Sequence, residues 1–466
     1  MWCGLAVCPL TKSTLGGEVI KTGLRGLAGR LQSDKGMLFS FLNRAWSIVS
    51  TLGFIGIVVV WLSPELQGFY FTFISLLILL QVADMGFGIV LVQFASHEWA
   101  NLEFDKDGAV VGDPTAKQRL GSLVGLALRW YSAAVIVFFI VLGAGGHWFF
   151  SASPDAAKVD WLAPWWLLSF FAALWLLVIP VTGLLEGCGQ VARSQRNQLV
   201  ANVLASITGW LVLLAGGELF SIAAMFAVRA AGGHILNTTA AWPILGLWRQ
   251  SGGEHVIEWR ARFWPQQWRI WLSWLAGFIV FQSFAPIAFQ LDGAVAAGQI
   301  GVMVQAFHAV NQLASSRLTV LQPQMGIFAS KGDLASVRQL VRSGVWQNTL
   351  AAAVLAAMAI ALVYLLKLWI PEIGTRLGPT LNFAVFVITA IPLQLTNVET
   401  AAIRFQIKEP FLLAIWVCAG LTLSGSIFVT QYWSSQEMSL IFMGVTVLVL
   451  APWVHKVYAA HMDLRS

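Results

Sequence analysis

Five ionisable side chains of this chain fall inside long apolar runs: Arg44, Asp84, Arg129, Arg229 and His234. A charge in hydrocarbon costs about 3 kcal/mol or more, so such residues pair, face an aqueous cavity or snorkel to an interface. Arg229 is the clearest case. At about 1.5 Å of rise per residue it lies roughly 15 Å beyond the turn Gly216-Gly217-Glu218, near a midplane. His234 follows in Arg229-Ala-Ala-Gly-Gly-His234, where the small residues would let a helix or a ligand approach closely. Arg44 and Asp84 flank one hairpin, roughly 27 Å and roughly 24 Å from it. That common depth suits either a salt bridge or contact with a substrate or a proton. Arg129, roughly 12 Å into its run, either snorkels or meets a ligand.

Apart from Asp84 this deep set is cationic. Arg229, His234, Arg44 and Arg129 are therefore the candidate substrate-binding residues, and Asp84 is the candidate for ion coupling. A cationic lumen suits an anionic cargo, because Arg grips phosphate bidentately. A hydrophobic cation would want carboxylates and aromatics instead. For Gln282, His308 and Asn311, satisfied core polar groups are the expected role. Glu399 and Arg404 read as interfacial, and Glu186 as a loop cap.

Positioning such residues requires helices that cross a membrane. With 58% hydrophobic and 11% charged residues among 466 and a mean hydropathy of +0.74, a soluble globular chain is excluded. Twelve runs are each about the length needed for a ~30 Å core. They are Met37–Leu62, Phe69–Ala95, Gly121–Phe149, Trp165–Leu185, Asn197–Leu214, Leu219–Leu247, Ile270–Phe289, Val295–Val320, Val345–Leu366, Leu381–Ile403, Phe411–Val429 and Met438–Tyr458. The fold class is thus an all-α integral membrane protein of about twelve transmembrane helices. Residues 1–36 form a basic arm without an apolar signal region. It is either a cytoplasmic tail or an over-extended start with Met37 as the initiator.

Lys and Arg set the orientation. With the N-terminus inside, the cytoplasmic loops and adjacent helix ends hold 24 of the 28, and the outer loops only Lys158, Lys367 and Arg376. Such a bias places both termini in the cytoplasm and accounts for the net charge of +6 without a nucleic-acid partner. Gly68 and Gly298 open corresponding helices 230 residues apart. Two six-helix lobes are expected, 37–248 and 270–466, joined by a cytoplasmic loop, 249–269, and enclosing a central cavity. Cys3, Cys8, Cys188 and Cys418 fall in different elements, so neither a disulfide framework nor a metal spacing is suggested. No GxxxxGK[ST] loop is present, so no ATP engine is encoded in this stretch. No cofactor and no catalytic residue is expected.

The segment Leu62-Ser-Pro-Glu-Leu-Gln-Gly68-Phe-Tyr-Phe-Thr-Phe, with Asp84-Met-Gly-Phe-Gly88 and Gln93-Phe-Ala-Ser-His-Glu98, resembles bacterial polysaccharide-export flippases. These O-antigen and exopolysaccharide translocases share a superfamily with the MATE drug exporters. Trp264-Pro-Gln-Gln-Trp-Arg269, Gly298-Gln-Ile-Gly301 and the Pro323–Asp333 loop are similar too. The likeness covers Met37 to Tyr458 in layout. A Lys that the family often carries before the Pro of the eighth helix is absent from Val320-Leu-Gln-Pro323, so no binding role for it transfers. The resemblance implies alternating access around a central cavity in the bacterial inner membrane. The implied cargo is a lipid-linked (polyprenyl-pyrophosphate) oligosaccharide for surface polysaccharide, including lipopolysaccharide. A proton or sodium gradient would be the drive, with membrane lipids and glycan polymerase machinery as neighbours. The alternatives are a MATE-like drug or metabolite exporter and a membrane-embedded glycan polymerase or ligase.

Overall fold

Every expected apolar run is helical. The computed structural model describes residues 15–250, 264–404 and 411–463. Among these residues, nine helices are long and apolar enough to cross a membrane. The bent pair Gln267–Gln282 and Phe284–Leu291, angled by 54°, makes a tenth. Phe220–Leu245 and Ala294–Ala314 complete the set of twelve legs; they are long enough but less apolar, because Arg229, His234, Asn237, Gln305 and His308 interrupt them. The protein is an all-α integral membrane protein. Its third leg, Pro114–Ser151, is inside out relative to a soluble helix: Ile136, Val137, Ile140 and Val141 are exposed, whereas Tyr131 is fully buried. Lipid is the solvent for that outer face.

The first helix, Leu15–Trp61, continues upstream through part of the basic arm. Residues 1–14 of that arm, and 251–263 of the inter-lobe loop, lie outside the described residues. The turn that follows is built by local chemistry. Ser63 caps the second leg by accepting from Leu66 N at 3.2 Å, with Pro64 at the first helical position and Glu65 in the first turn. The third leg is capped likewise, by Asp113 ahead of Pro114. The polar loop between these legs carries a short hairpin, Leu102–Phe104 against Val110–Gly112.

The two halves of the chain meet at the end of the molecule that carries the first hairpin. Gly68, on the second leg, lies so close to the eighth that a Cβ would sit 1.9 Å from the Ala294 carbonyl oxygen. Gly298 abuts Gly68 in turn, where an added Cβ would sit 3.1 Å from the Gly68 nitrogen, and Gly301 leaves room for Phe71. Only glycine permits this approach. The corresponding glycines of the two halves are therefore partners in space. Around them Phe69, Phe73, Phe150 and Trp165 pack with Phe289 of the other half; the Phe69 and Phe289 ring centroids are 4.8 Å apart. Polar ties rim this plug. Ala294 N donates to Asp155 (2.8 Å), Gln290 to Phe149 O (2.6 Å), Gln67 to Arg376 O (3.1 Å), and Arg376 to the carbonyls of Val59 (2.9 Å) and Leu62.

Candidate functional site

Beneath that plug lies a cavity of about 750 Å³, extending from Tyr70 and Phe71 to Glu186 and Gln195 near the other end. Its walls come from the first, second, fourth, fifth and sixth legs, with Trp274 and Gln305 from the other half. The sixth leg brings Arg229. Gly233, one turn on, lets Trp175 and Val178 press against that helix, where a Cβ would meet Trp175 at 2.8 Å. The Arg229 guanidinium carbon stands 4.5 Å from the Trp175 ring centroid and 5.9 Å from that of Phe226. No carboxylate pairs with it among the described residues, and its Nε is buried without a hydrogen-bond partner. A desolvated cation–π contact contributes about 2 kcal/mol, less than the several kcal/mol that removing an ion from water costs. The guanidinium is thus left with unmet hydrogen-bonding capacity.

Asp84 reaches the same cavity from a break in the second leg. Met85 (φ 51°) and Gly86 (φ 71°) are successive left-handed residues that end Leu79–Asp84 and start Phe87–Trp99. One carboxylate oxygen accepts from the Tyr131 hydroxyl and the other from Gly88 N at 3.4 Å. The salt bridge with Arg44 that their common depth suggested is not formed, because Asp84 is 4% exposed and committed to these two donors. Glu186 lines the opposite wall. It does not simply cap a loop: one oxygen accepts from Ser194 (3.0 Å), Gln195 (2.9 Å) and Gln198 (3.4 Å). Ser50 and Ser206 share a hydrogen bond at 2.7 Å and continue the polar lining.

The structure brings Arg229 and Asp84 into one cavity and leaves the other three predicted residues outside its walls. His234 points to the fourth leg, where its Nε2 is 2.9 Å from Leu174 O. Arg129 is exposed, with Nε donating to Gly125 O one turn back (3.2 Å). Arg44 is half-buried and is not part of the lining. The expected cationic lumen is thereby corrected: the described lining sets Arg229 against Asp84 and Glu186, amid hydroxyls, carboxamides and aromatic rings. Gln195, Gln198, Asn202 and Ser206 had a legible signal, since spacings of three, four and four make a polar stripe on one face of Val191–Leu214.

A second cavity, of about 760 Å³, lies in the other half and shares Ile78, Gln81 and Trp274 with the first. The Gln282 amide donates to His308 Nε2 (2.8 Å), and Asn311 Oδ1 accepts from Gln394 (2.8 Å) and Asn397 (3.3 Å). These residues are hydrogen-bonded as expected, but they also wall a chamber.

An all-helical membrane protein with a polar cavity in each half of its chain defines a class, and solved structures share its fold. The chain resembles the lipid II flippase MurJ in an inward closed conformation (TM-score 0.58, 10% identity, 90% of this chain and 86% of that one). It also resembles a multidrug resistance MATE family transporter of the MOP superfamily in its inward-facing conformation (TM-score 0.62, 13% identity, 90% and 96%). The outward-facing conformation of such a MATE transporter matches with a TM-score of 0.51 at 12% identity, over 93% and 96%. No protein-family model and no curated protein sequence matches the chain. The fold is that of MOP-superfamily transporters.

Proposed function

We propose that the protein is a transporter that flips a polyprenyl-diphosphate-linked oligosaccharide across the bacterial inner membrane by alternating access, for surface polysaccharide synthesis. The observation that carries this reading is Arg229, a cation held on Trp175 without a carboxylate partner in a cavity of hydroxyl, carboxamide and aromatic groups. A diphosphate would neutralise it, and the polar and aromatic walls suit sugar rings. The Lys and Arg bias makes the plugged end periplasmic, so the cavity belongs to an inward-facing state. The higher TM-score against the inward-facing MATE structure, 0.62 rather than 0.51, accords with that assignment. Asp84 is the proposed coupling group. A proton or sodium ion on its carboxylate would compete with the Tyr131 and Gly88 donors exactly where the second leg is broken. The reading contains no catalytic step and no cofactor.

One observation favours a second reading, a MATE-like exporter: Asp84 and Glu186 together with Trp46, Phe54 and Trp175 would suit a hydrophobic cation. Complementation separates the two. Arg229→Ala is expected to fail to restore surface glycan in a flippase-deficient strain while still reaching the membrane folded. Normal glycan from that variant, with cationic-dye sensitivity in a deletion strain, would favour the exporter instead.

A further inference from the structure

The chamber that shares Gln81 and Trp274 with the Arg229 cavity differs from it in kind. Its described lining holds no Asp, Glu, Lys or Arg, and its one ionisable ring, His308, is tied to Gln282. Hydrogen-bonding capacity nevertheless abounds. Ser273, Gln322 and Thr400 line it without a hydrogen bond to any described residue. Asn311 spends its oxygen on Gln394 and Asn397 and keeps its amide donor, while Asn397 keeps its oxygen. Gln282 Oε1 is buried without a partner and the other groups are open to the chamber, so this wall is built to meet water or ligand hydroxyls. Trp274, Phe278, Phe281 and Phe307 supply flat apolar faces between those groups.

We propose that this chamber is a glycan subsite: it takes the uncharged, hydroxyl-rich sugar residues of a cargo whose diphosphate sits at Arg229. The inference rests on the flippase reading above. Among the described lining residues a carboxylate-bearing or cationic group would find no counter-ion, and a polyprenyl tail would leave the carboxamides unmatched. Neutral sugars satisfy both sets of walls, since each ring offers hydroxyls at its edge and C–H groups on its faces. The volume lies within the range of about 300–1,000 Å³ typical of small-molecule sites. The chambers adjoin at Gln81 and Trp274, and the proposed headgroup spans that shared edge. Selectivity among glycans would therefore reside in the second half of the chain, and diphosphate recognition in the first.

The test uses the full-length protein in lipid nanodiscs, titrated with undecaprenyl diphosphate and with undecaprenyl-diphosphate-linked trisaccharide of neutral hexoses. Two variants probe the chamber: Asn311→Ala, and the pair Gln322→Leu with Thr400→Val. The pair breaks no internal hydrogen bond and so keeps the fold. Both variants are expected to weaken binding of the sugar-bearing lipid about tenfold, or ~1.4 kcal/mol, and to leave bare diphosphate binding within about twofold. Equal losses for the two ligands, or none for either, would overturn the subsite. Arg229→Ala should weaken both ligands together. If it weakens neither, the flippase reading itself fails, an outcome distinct from failure of the subsite alone.

Discussion

The two chambers are close in volume, about 750 and 760 Å³, yet among the described lining residues only those of the first include charged groups. Arg229, Asp84 and Glu186 line the one, while carboxamides and hydroxyls line the other. The two walls thus differ in chemistry, whereas at Gly68 and Gly298 both halves of the chain place the same residue in one close contact. The physical reason is that close helix packing tolerates few residue types, whereas a cavity wall constrains chemistry rather than volume.

The largest expected effect tests the charged chamber. Arg229→Ala should cost about 2–5 kcal/mol of cargo binding, a loss of at least ~30-fold in affinity, measured by titration in nanodiscs. Arg229→Lys should recover part of it, because a point charge replaces a fork. A wild-type affinity in Arg229→Ala would erase the distinction between the chambers. Next, Asp84→Asn should remove dependence of transport on an imposed ion gradient in proteoliposomes while leaving cargo binding intact. Persistence of gradient-driven transport would release Asp84 from coupling.

The region the halves share can be broken too. Gly68→Leu forces a side chain against the Ala294 carbonyl, and overpacking of this kind costs about 1–3 kcal/mol. The expected outcome is greater reactivity of an engineered cysteine under the plug, and unchanged labelling would place the closed contact elsewhere.

The smallest effect concerns pH. The Ala294 amide, with Lys158 beside it, holds the Asp155 carboxyl below the usual carboxylate range. A depressed value means that the tie stabilises the plugged state fully above the ordinary carboxylate range. That contribution is lost as pH falls through the depressed value. Cysteine labelling under the plug should accordingly rise at acidic pH in the wild type and show less pH dependence in Asp155→Asn. An identical profile in both would remove Asp155 from the closure.

Much of the fold is legible in the chain. Run length and apolarity gave the helical legs, and Ser63 with Pro64 gave the first hairpin, whereas the contact between Gly68 and Gly298 came only with the structure. The site was legible in part. Arg229 and Asp84, picked by depth along an axis, do line one cavity, but depth says nothing of azimuth. His234 is five residues beyond Arg229, which turns it roughly 140° around the helix, towards Leu174 and away from the cavity. Arg129 fails in the same manner, lying on an exposed face. Glu186 looked like a helix end because its donors, Ser194, Gln195 and Gln198, come from the following helix and meet it only on folding.

By itself, then, the sequence determined that this protein lives in a membrane as helices and that Arg229 falls inside one of its long apolar runs, because hydrocarbon thickness and the cost of buried charge act on each segment alone. Only the tertiary structure decided which polar faces look inward, that Asp84 belongs to Tyr131 rather than Arg44, and that one chamber is charged and the other neutral. Those outcomes depend on how helices rotate and pack against one another, and the requirements of a single segment leave that rotation open.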